Sequence, residues 1–356
     1  MVENTSDELA HRFFRLLVPS LFSSESPELS LLHFLFYVKS GTSLESLMTT
    51  TGGAQESRVV GGTHLISERM AEALGESVRL NAVVRTIRQD ESGVVVEYEG
   101  GSLTAGHVIV AIPQTLAGRL RYDPPLPALG DGLTQQMPAG AVIKFQVGYD
   151  TPFWREEGLS GTVWSIDDPF NVVLDNSPRD GSCGVLVGFL EGHHARTASP
   201  LSEAERRALV VADLVKYFGP KAAEPFDIVE EDWTTEEFTR GCYGGRLGAG
   251  AWTQYGTALA APVGRSDPLG RGGDLVRLER LHGRGRAFRS SGSRRNPSRH
   301  AELRPPVAAK RRHRQDLQPN PRGQSSRKQS PRVPGFKELR YGSRELFCLW
   351  KLKALK

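Results

Sequence analysis

The chain has 356 residues, enough for two ordinary domains or one large one, and 38% of them are hydrophobic, so a sizeable core is expected. A formal net charge of +4 hides an asymmetry: residues 265–356 hold 25 Lys and Arg against 7 Asp and Glu, a net of +18, whereas the first 264 residues carry a net of −14. Three scattered cysteines (Cys183, Cys242, Cys348) exclude a disulfide framework or a zinc spacing, no apolar run approaches the ~20 residues that cross a bilayer, and the opening residues read as no secretory leader, so a reduced cytoplasmic setting without membrane contact is expected.

Ser6 to Leu21 predicts an amphipathic helix with Leu9, Phe13, Leu16 and Leu17 on one face. Leu29 to Val38 predicts a buried apolar segment, helical by its company. Val59-Val60-Gly61-Gly62 reads as a short strand ending in a Gly pair. His64 to Leu74 predicts a helix with Leu65, Ile66, Met70 and Leu74 inward, stopped by Gly75. Val78 to Ile87 and Val94 to Tyr98 read as strands joined by an Asp90-Glu91-Ser92-Gly93 turn. Val108 to Ile112 is wholly apolar and ends at Pro113, which suits a buried parallel strand. Ala141 to Gly148 and Val185 to Phe189 are further strands. Ser202 and Glu205 form a capping box for a helix that runs to about Phe218 and ends at Gly219-Pro220. Beyond Gly264 the residues are rich in Arg, Gly, Ser and Pro, and disorder is expected there.

Several segments, in this order and spacing, carry a resemblance. They are Phe36-Tyr37-Val38-Lys39, Gly52-Gly53-Ala54-Gln55-Glu56, Val60-Gly61-Gly62 with Ile66-Ser67-Glu68-Arg69, and Ala111-Ile112-Pro113. Further on come Pro124-Pro125-Leu126-Pro127, Val142-Ile143-Lys144, Pro152-Phe153-Trp154, and Gly241-Cys242-Tyr243 with Thr253-Gln254-Tyr255-Gly256. Over roughly Leu29 to Arg265 the chain resembles the flavin monoamine oxidases. The resemblance implies a mixed α/β fold in which an FAD-binding domain is interleaved with a substrate domain. It assigns about 59–113 and 233–265 to the FAD domain and about 1–58 and 124–231 to the substrate domain, leaving 266–356 as a basic tail. It also implies FAD as cofactor, and a small-molecule amine and oxygen as partners. Neither nucleic acid nor membrane is expected as a partner, since the tail shows no recognised binding motif and no apolar run is long enough to cross a bilayer. Oligomeric state is not legible.

The same resemblance suggests roles for single residues. Cys242 matches the cysteine that holds the flavin by a thioether; the plain alternative is a small buried residue. Tyr243 matches one wall of an aromatic cage that excludes water and orients the amine. Lys144, the one charge within the apolar run Val142-Ile143-Lys144-Phe145, matches a lysine that assists reoxidation by oxygen; alternation would also allow it to face solvent. Trp233 and Val84 fall at cofactor positions, and Tyr37, Gln55 and Phe189 at substrate-cavity positions, each with a reading as ordinary packing.

The family's G-x-G-x-x-G turn, which binds pyrophosphate at a helix N-terminus, is absent from the 356 residues. After Pro262-Val263-Gly264-Arg265 the family continues with a segment like I-H-W-A-G and then W-x-G-Y-M-[DE]-G-A. Possible codons for Asp267 to Arg271, and for Leu278 to Phe288, read one base out of step, yield both motifs at the family's spacing. Residues from Ser266 onward therefore read as an out-of-frame translation, and the chain by itself is expected to be inactive. The alternative from another class is a non-enzymatic protein whose +18 tail binds nucleic acid or an anionic surface.

Overall fold

The computed structural model describes residues 6–50, 52–259, 262–263 and 276–278. A second unit of the chain, Arg284–Tyr341, lies outside the described residues. The fold is mixed α/β. In chain order come α1 (Glu8–Phe22), α2 (Leu31–Ser40), α3 (Leu44–Met48), α4 (His64–Leu74), β1 (Val84–Asp90), β2 (Gly93–Tyr98), β3 (Gly101–Ala105) and β4 (Val108–Val110). These are followed by α5 (Gln114–Ala117), β5 (Arg121–Asp123), α6 (Ala128–Gln136), β6 (Val142–Tyr149), α7 (Phe153–Glu156), β7 (Val163–Trp164) and β8 (Val172–Asp175). The remainder are β9 (Gly184–Glu191), α8 (His193–Ala198), α9 (Glu203–Phe218), β10 (Asp227–Asp232), α10 (Ala251–Tyr255), β11 (Pro262–Val263) and β12 (Val276–Leu278).

The main sheet has the order β10-β6-β9-β8-β7 and is antiparallel throughout. Side chains alternate across a strand, so β6 presents two different faces. Its odd-numbered residues Ile143, Phe145, Val147 and Tyr149 join Leu186 and Leu190 of β9 in the largest core cluster. Helix α9 supplies the opposing layer through Val210, Leu214 and Phe218, one residue per turn on one stripe. Its start is fixed as the sequence predicts. Ser202 Oγ accepts the Glu205 N–H and Glu205 accepts the Ser202 N–H, so two end donors are satisfied reciprocally.

A second sheet, β3-β2-β1-β5, packs Ile87 and Val94 against Ala117. The Asp90–Gly93 turn closes its first hairpin. There Asp90 accepts the Ser92 N–H, and Gly93 has a positive φ that admits no side chain, because a Cβ would lie 2.7 Å from the Ala105 carbonyl oxygen. A third sheet has the order β11-β12-β4.

Several expectations need correction. Val59–Gly62 is not a strand but leads into a turn, and Val60 is 94% exposed. The first predicted strand begins at Val84 rather than Val78, because Val84 is where pairing to β2 starts. Strand β4 ends at Val110, and Ile109 is exposed, so an apolar run here is buried on one side only. In α1 the buried residues are Leu17, Val18, Pro19 and Phe22, while Leu9 and Phe13 are exposed. In α2 only His33 is fully buried, and Leu31, Leu32 and Leu35 face outward. Helix α4 has the predicted limits and its Gly75 stop, yet Ile66, Met70 and Leu74 are exposed. Periodicity reports that a helix has an apolar stripe, not that a partner covers it. The tail is not structureless throughout: Val276–Leu278 pairs in parallel with β4. Its Val-Arg-Leu alternation was masked by the Arg- and Gly-rich composition around it. The rest of 266–356, with Cys348, lies outside the described residues. Among the described residues no helix is long and apolar enough to cross a membrane.

This division of faces is testable. Phe145→Ala empties a fully buried site between sheet and helix and should lower stability by about 3–5 kcal/mol. Ile66→Ser, on the exposed stripe of α4, should stay within about 0.5 kcal/mol of the parent. Urea denaturation followed by circular dichroism measures both; equal losses would show that the core has been misplaced.

Candidate active site

The even-numbered residues of β6 face away from α9. Lys144 is among them, and its cross-strand neighbours are Phe189 on β9 and Glu231 on β10. Phe189 and Glu191, two apart on β9, share that face. Lys144 is only partly exposed, and desolvation lowers its pKa from the ordinary lysine value.

The loop after β10 brings the remaining groups. Two glycines permit a close backbone approach there. A Cβ on Gly140 would lie 2.3 Å from the Phe22 carbonyl oxygen and 2.4 Å from that of Cys242, and one on Gly241 would lie 2.3 Å from the Gly140 carbonyl oxygen. With no Cβ at either position, the Cys242 N–H donates to the Gly140 carbonyl at 2.9 Å. The next residue, Tyr243, joined to Cys242 by a cis peptide, then sits over the sheet face. Its ring meets Phe189 edge-on, with centroids 6.1 Å apart and planes at 76°. Its hydroxyl donates to Glu191 Oε1 at 2.9 Å.

Ser23, the left-handed residue that ends α1, completes this corner. Its carbonyl accepts the Ala141 N–H at 2.8 Å, and the Ala141 carbonyl accepts the Gly192 N–H at 2.9 Å. Its Oγ lies 3.5 Å from Glu191 Oε1. Glu191 is only 1% exposed, and Oε2 has no hydrogen-bond partner. Burial pushes its carboxyl up to about 8, against smaller lowering effects of Tyr243 and Ser23. Burial thus favours its acid form. Tyr243 is raised well above its ordinary value, first by burial of the hydroxyl and then by Glu191. Half of Tyr243 is nevertheless exposed, because the ring face is open while the hydroxyl is enclosed. The Cys242 thiol is raised by burial and partly lowered again by Lys144.

The structure thus brings together Lys144, Phe189, Cys242 and Tyr243. Trp233 stands at the edge of the group, its backbone N–H donating to the Val142 carbonyl at 3.2 Å. Tyr37 packs on Phe22 at 4.7 Å between ring centroids, one residue before Ser23. Gln55 is exposed in the turns before α4, and Val84 opens β1 of the second sheet. Among the described residues no hydrogen bond or ring contact ties either to the group. Sequence reasoning missed Glu191 and Ser23. The signal for Glu191 was a single carboxylate closing the apolar run Gly184–Leu190, two residues beyond Phe189.

The residues suit the ring end of a flavin. An open aromatic face, a half-buried thiol and a desolvated ammonium stand on one side of one sheet, as a flat, electron-accepting ring requires. Cys242 and Trp233 would hold that end, and Val84 is the candidate for the adenine end. The pyrophosphate asks for a Gly-rich turn, and no G-x-G-x-x-G occurs in the sequence.

Comparison with known proteins agrees with this chemistry. Residues 4–265 match the model of the flavin containing amine oxidoreductases. The chain is 40% identical over 245 residues to a probable flavin-containing monoamine oxidase A of Dictyostelium discoideum, covering 68% of this chain and 54% of that one. It is 36% identical over 258 residues to amine oxidase [flavin-containing] B of Cavia porcellus, covering 71% and 50%. Among solved structures it is similar to wild-type putrescine oxidase bound to putrescine (TM-score 0.71, 35% identity, covering 78% of this chain and 60% of that one). It is also similar to cyclohexylamine oxidase from Brevibacterium oxydans (TM-score 0.71, 31% identity, 78% and 59%). The chain spans about half the length of the curated relatives it matches.

The Lys144–Cys242 coupling predicts a chemical phenotype. Iodoacetamide alkylation of Cys242, followed by peptide mass spectrometry, should show a midpoint above the ordinary thiol value of about 8.5. Lys144→Met removes the cation that favours the thiolate, so the midpoint should rise further. An unchanged or lower midpoint would contradict the coupling.

Proposed function

The chain belongs to the flavin containing amine oxidoreductases, and we propose that its described residues form the amine-facing wall of an FAD-dependent enzyme that oxidatively deaminates primary amines. The observation that carries this reading is the convergence of Lys144, Phe189, Cys242 and Tyr243 on one sheet face. The names of the putrescine and cyclohexylamine oxidases support amines as the substrate class. The alternative, a non-enzymatic chain with an anion-binding tail, gains nothing from these likenesses.

FAD, when bound, supplies the acceptor for the hydride leaving the amine α-carbon, in a reaction whose overall products are aldehyde, ammonia and hydrogen peroxide. The residues of the chain bind, orient and move protons. The open ring of Tyr243, braced by Phe189, offers an aromatic wall against which an amine can lie. Lys144 gives up its proton more readily than a surface lysine because burial disfavours its charge. Cys242 is the proposed point of flavin attachment, with Trp233 and Val84 as further cofactor contacts. Tyr37, Gln55 and Phe189 are the proposed substrate contacts. The division into FAD-binding parts (about 59–113 and 233–265) and substrate-binding parts (about 1–58 and 124–231) is part of the same proposal. So is a cytoplasmic setting, supported by the few and widely spaced cysteines of the sequence.

The 356 residues carry this wall without the Gly-rich pyrophosphate turn, so their own turnover with added FAD is expected to be negligible. The direct test joins residues 6–263 to the nucleotide-binding parts of a putrescine oxidase. The hybrid should be yellow and release peroxide with at least one of a panel of mono-, di- and polyamines. Lys144→Met should slow release by roughly 100-fold, within the range for a lost proton-transfer group. A yellow hybrid that oxidises no amine would overturn the reading.

A further inference from the structure

The buried carboxyl of Glu191 has no part in the roles assigned so far. It ends β9 on the same face as Phe189, at 1% exposure, and receives hydroxyls from two distant parts of the chain. Tyr243 donates to it from the loop after β10, and Ser23 from the end of α1. We propose that Glu191 is the positioning residue for Tyr243, its carboxyl pinning the phenol hydroxyl so that the ring stands edge-on to Phe189 with its outer face open. This inference rests on the amine-oxidase reading for its purpose, but not for its geometry.

The phenol has two anchors: Phe189 fixes the ring by its edge, and Glu191 fixes the hydroxyl at 2.9 Å. Without an acceptor, the enclosed hydroxyl would be left unpaired, and a buried unpaired hydroxyl is costly enough to swing the ring toward water. Finally, burial favours the neutral acid, pushing the carboxyl up to about 8. A neutral acid holds the ring without placing a carboxylate beside the amine, where it would pair with an ammonium and oppose the neutral form. The groups acting on Glu191 are the Tyr243 and Ser23 hydroxyls. Lys144 and Cys242, on the same side, act on each other. Beyond Gly192, Glu25 is engaged with the His193 N–H, and its own N–H donates to Glu28.

Two measurements on the full 356-residue chain, without flavin or amine, test this. In the first, tetranitromethane nitration of Tyr243 at pH 8 is followed by peptide mass spectrometry in the parent, Glu191→Gln and Glu191→Leu. Gln keeps an acceptor of the same size, so it should protect Tyr243 as the parent does. Leu should expose it, raising nitration by about tenfold, the factor that corresponds to losing about 1.4 kcal/mol of hydrogen bonding. Equal nitration in all three would overturn the proposal. The second measurement stands if the Leu variant fails to fold. A carboxyl raised from 4.5 to about 8 contributes stability that is present below pH 4.5 and lost as pH rises to about 8. The parent should therefore lose stability relative to Glu191→Gln across that window. Parallel pH profiles would show that Glu191 is not buried as an acid against Tyr243. Failure of the oxidase reading would appear instead in the peroxide assay and would leave both results intact.

Discussion

Two-residue alternation along paired strands is the constraint on which the rest of this structure depends. One strand, β6, is asked to close a core and to build a site, and it can do both only because successive side chains leave on opposite faces. Ile143, Phe145 and Val147 go to α9, and Lys144 goes to the other side. Pairing to β9 extends the division, so that Leu190 joins the core while Phe189 and Glu191 join the site. A slip of one residue in this register would bury Lys144 against Leu214 and turn Phe145 outward, at a cost no marginally stable domain could carry. The core therefore holds the site in register.

What makes the site-facing side chemically useful is the incomplete solvation of its polar groups. Lys144, Cys242, Glu191 and Tyr243 are each displaced from their ordinary titration ranges, and burial is the first cause in every case. Each displacement favours the uncharged form. The result is a neutral acid, a thiol, a phenol and a readily deprotonated amine around an open aromatic face. Such surroundings suit a substrate that must react as the neutral amine, and they suit a flat cofactor ring better than they suit a phosphate.

Much of the scaffold was legible in the residues, and the reasons are local. The α9 capping box needs only Ser202 and Glu205, the Asp90–Gly93 turn needs only its four residues, and β6 lies within one residue at each end of the predicted Ala141–Gly148. The candidates Lys144, Cys242, Tyr243 and Phe189 came from a resemblance, and they lie together. What local pattern could not supply was the identity of the partner for each apolar face. The stripe on α4 reads as inward from Ile66, Met70 and Leu74, yet those residues are exposed. Glu191 failed in the opposite direction. A charged residue at a strand end reads as solvated, and its burial comes from Ser23 and Tyr243, 168 and 52 residues away in sequence.

The most direct test of the account is an anaerobic half-reaction. A flavin-loaded hybrid that carries residues 6–263 would be mixed with putrescine or cyclohexylamine in the absence of oxygen, and the flavin absorbance followed in a stopped-flow instrument. The account predicts that the yellow colour bleaches with the parent sheet face and bleaches much more slowly when Tyr243 is replaced by Leu. Bleaching that is indifferent to Tyr243, or retained colour with both amines and with longer diamines, would contradict the claim that this face is where the amine is oxidised.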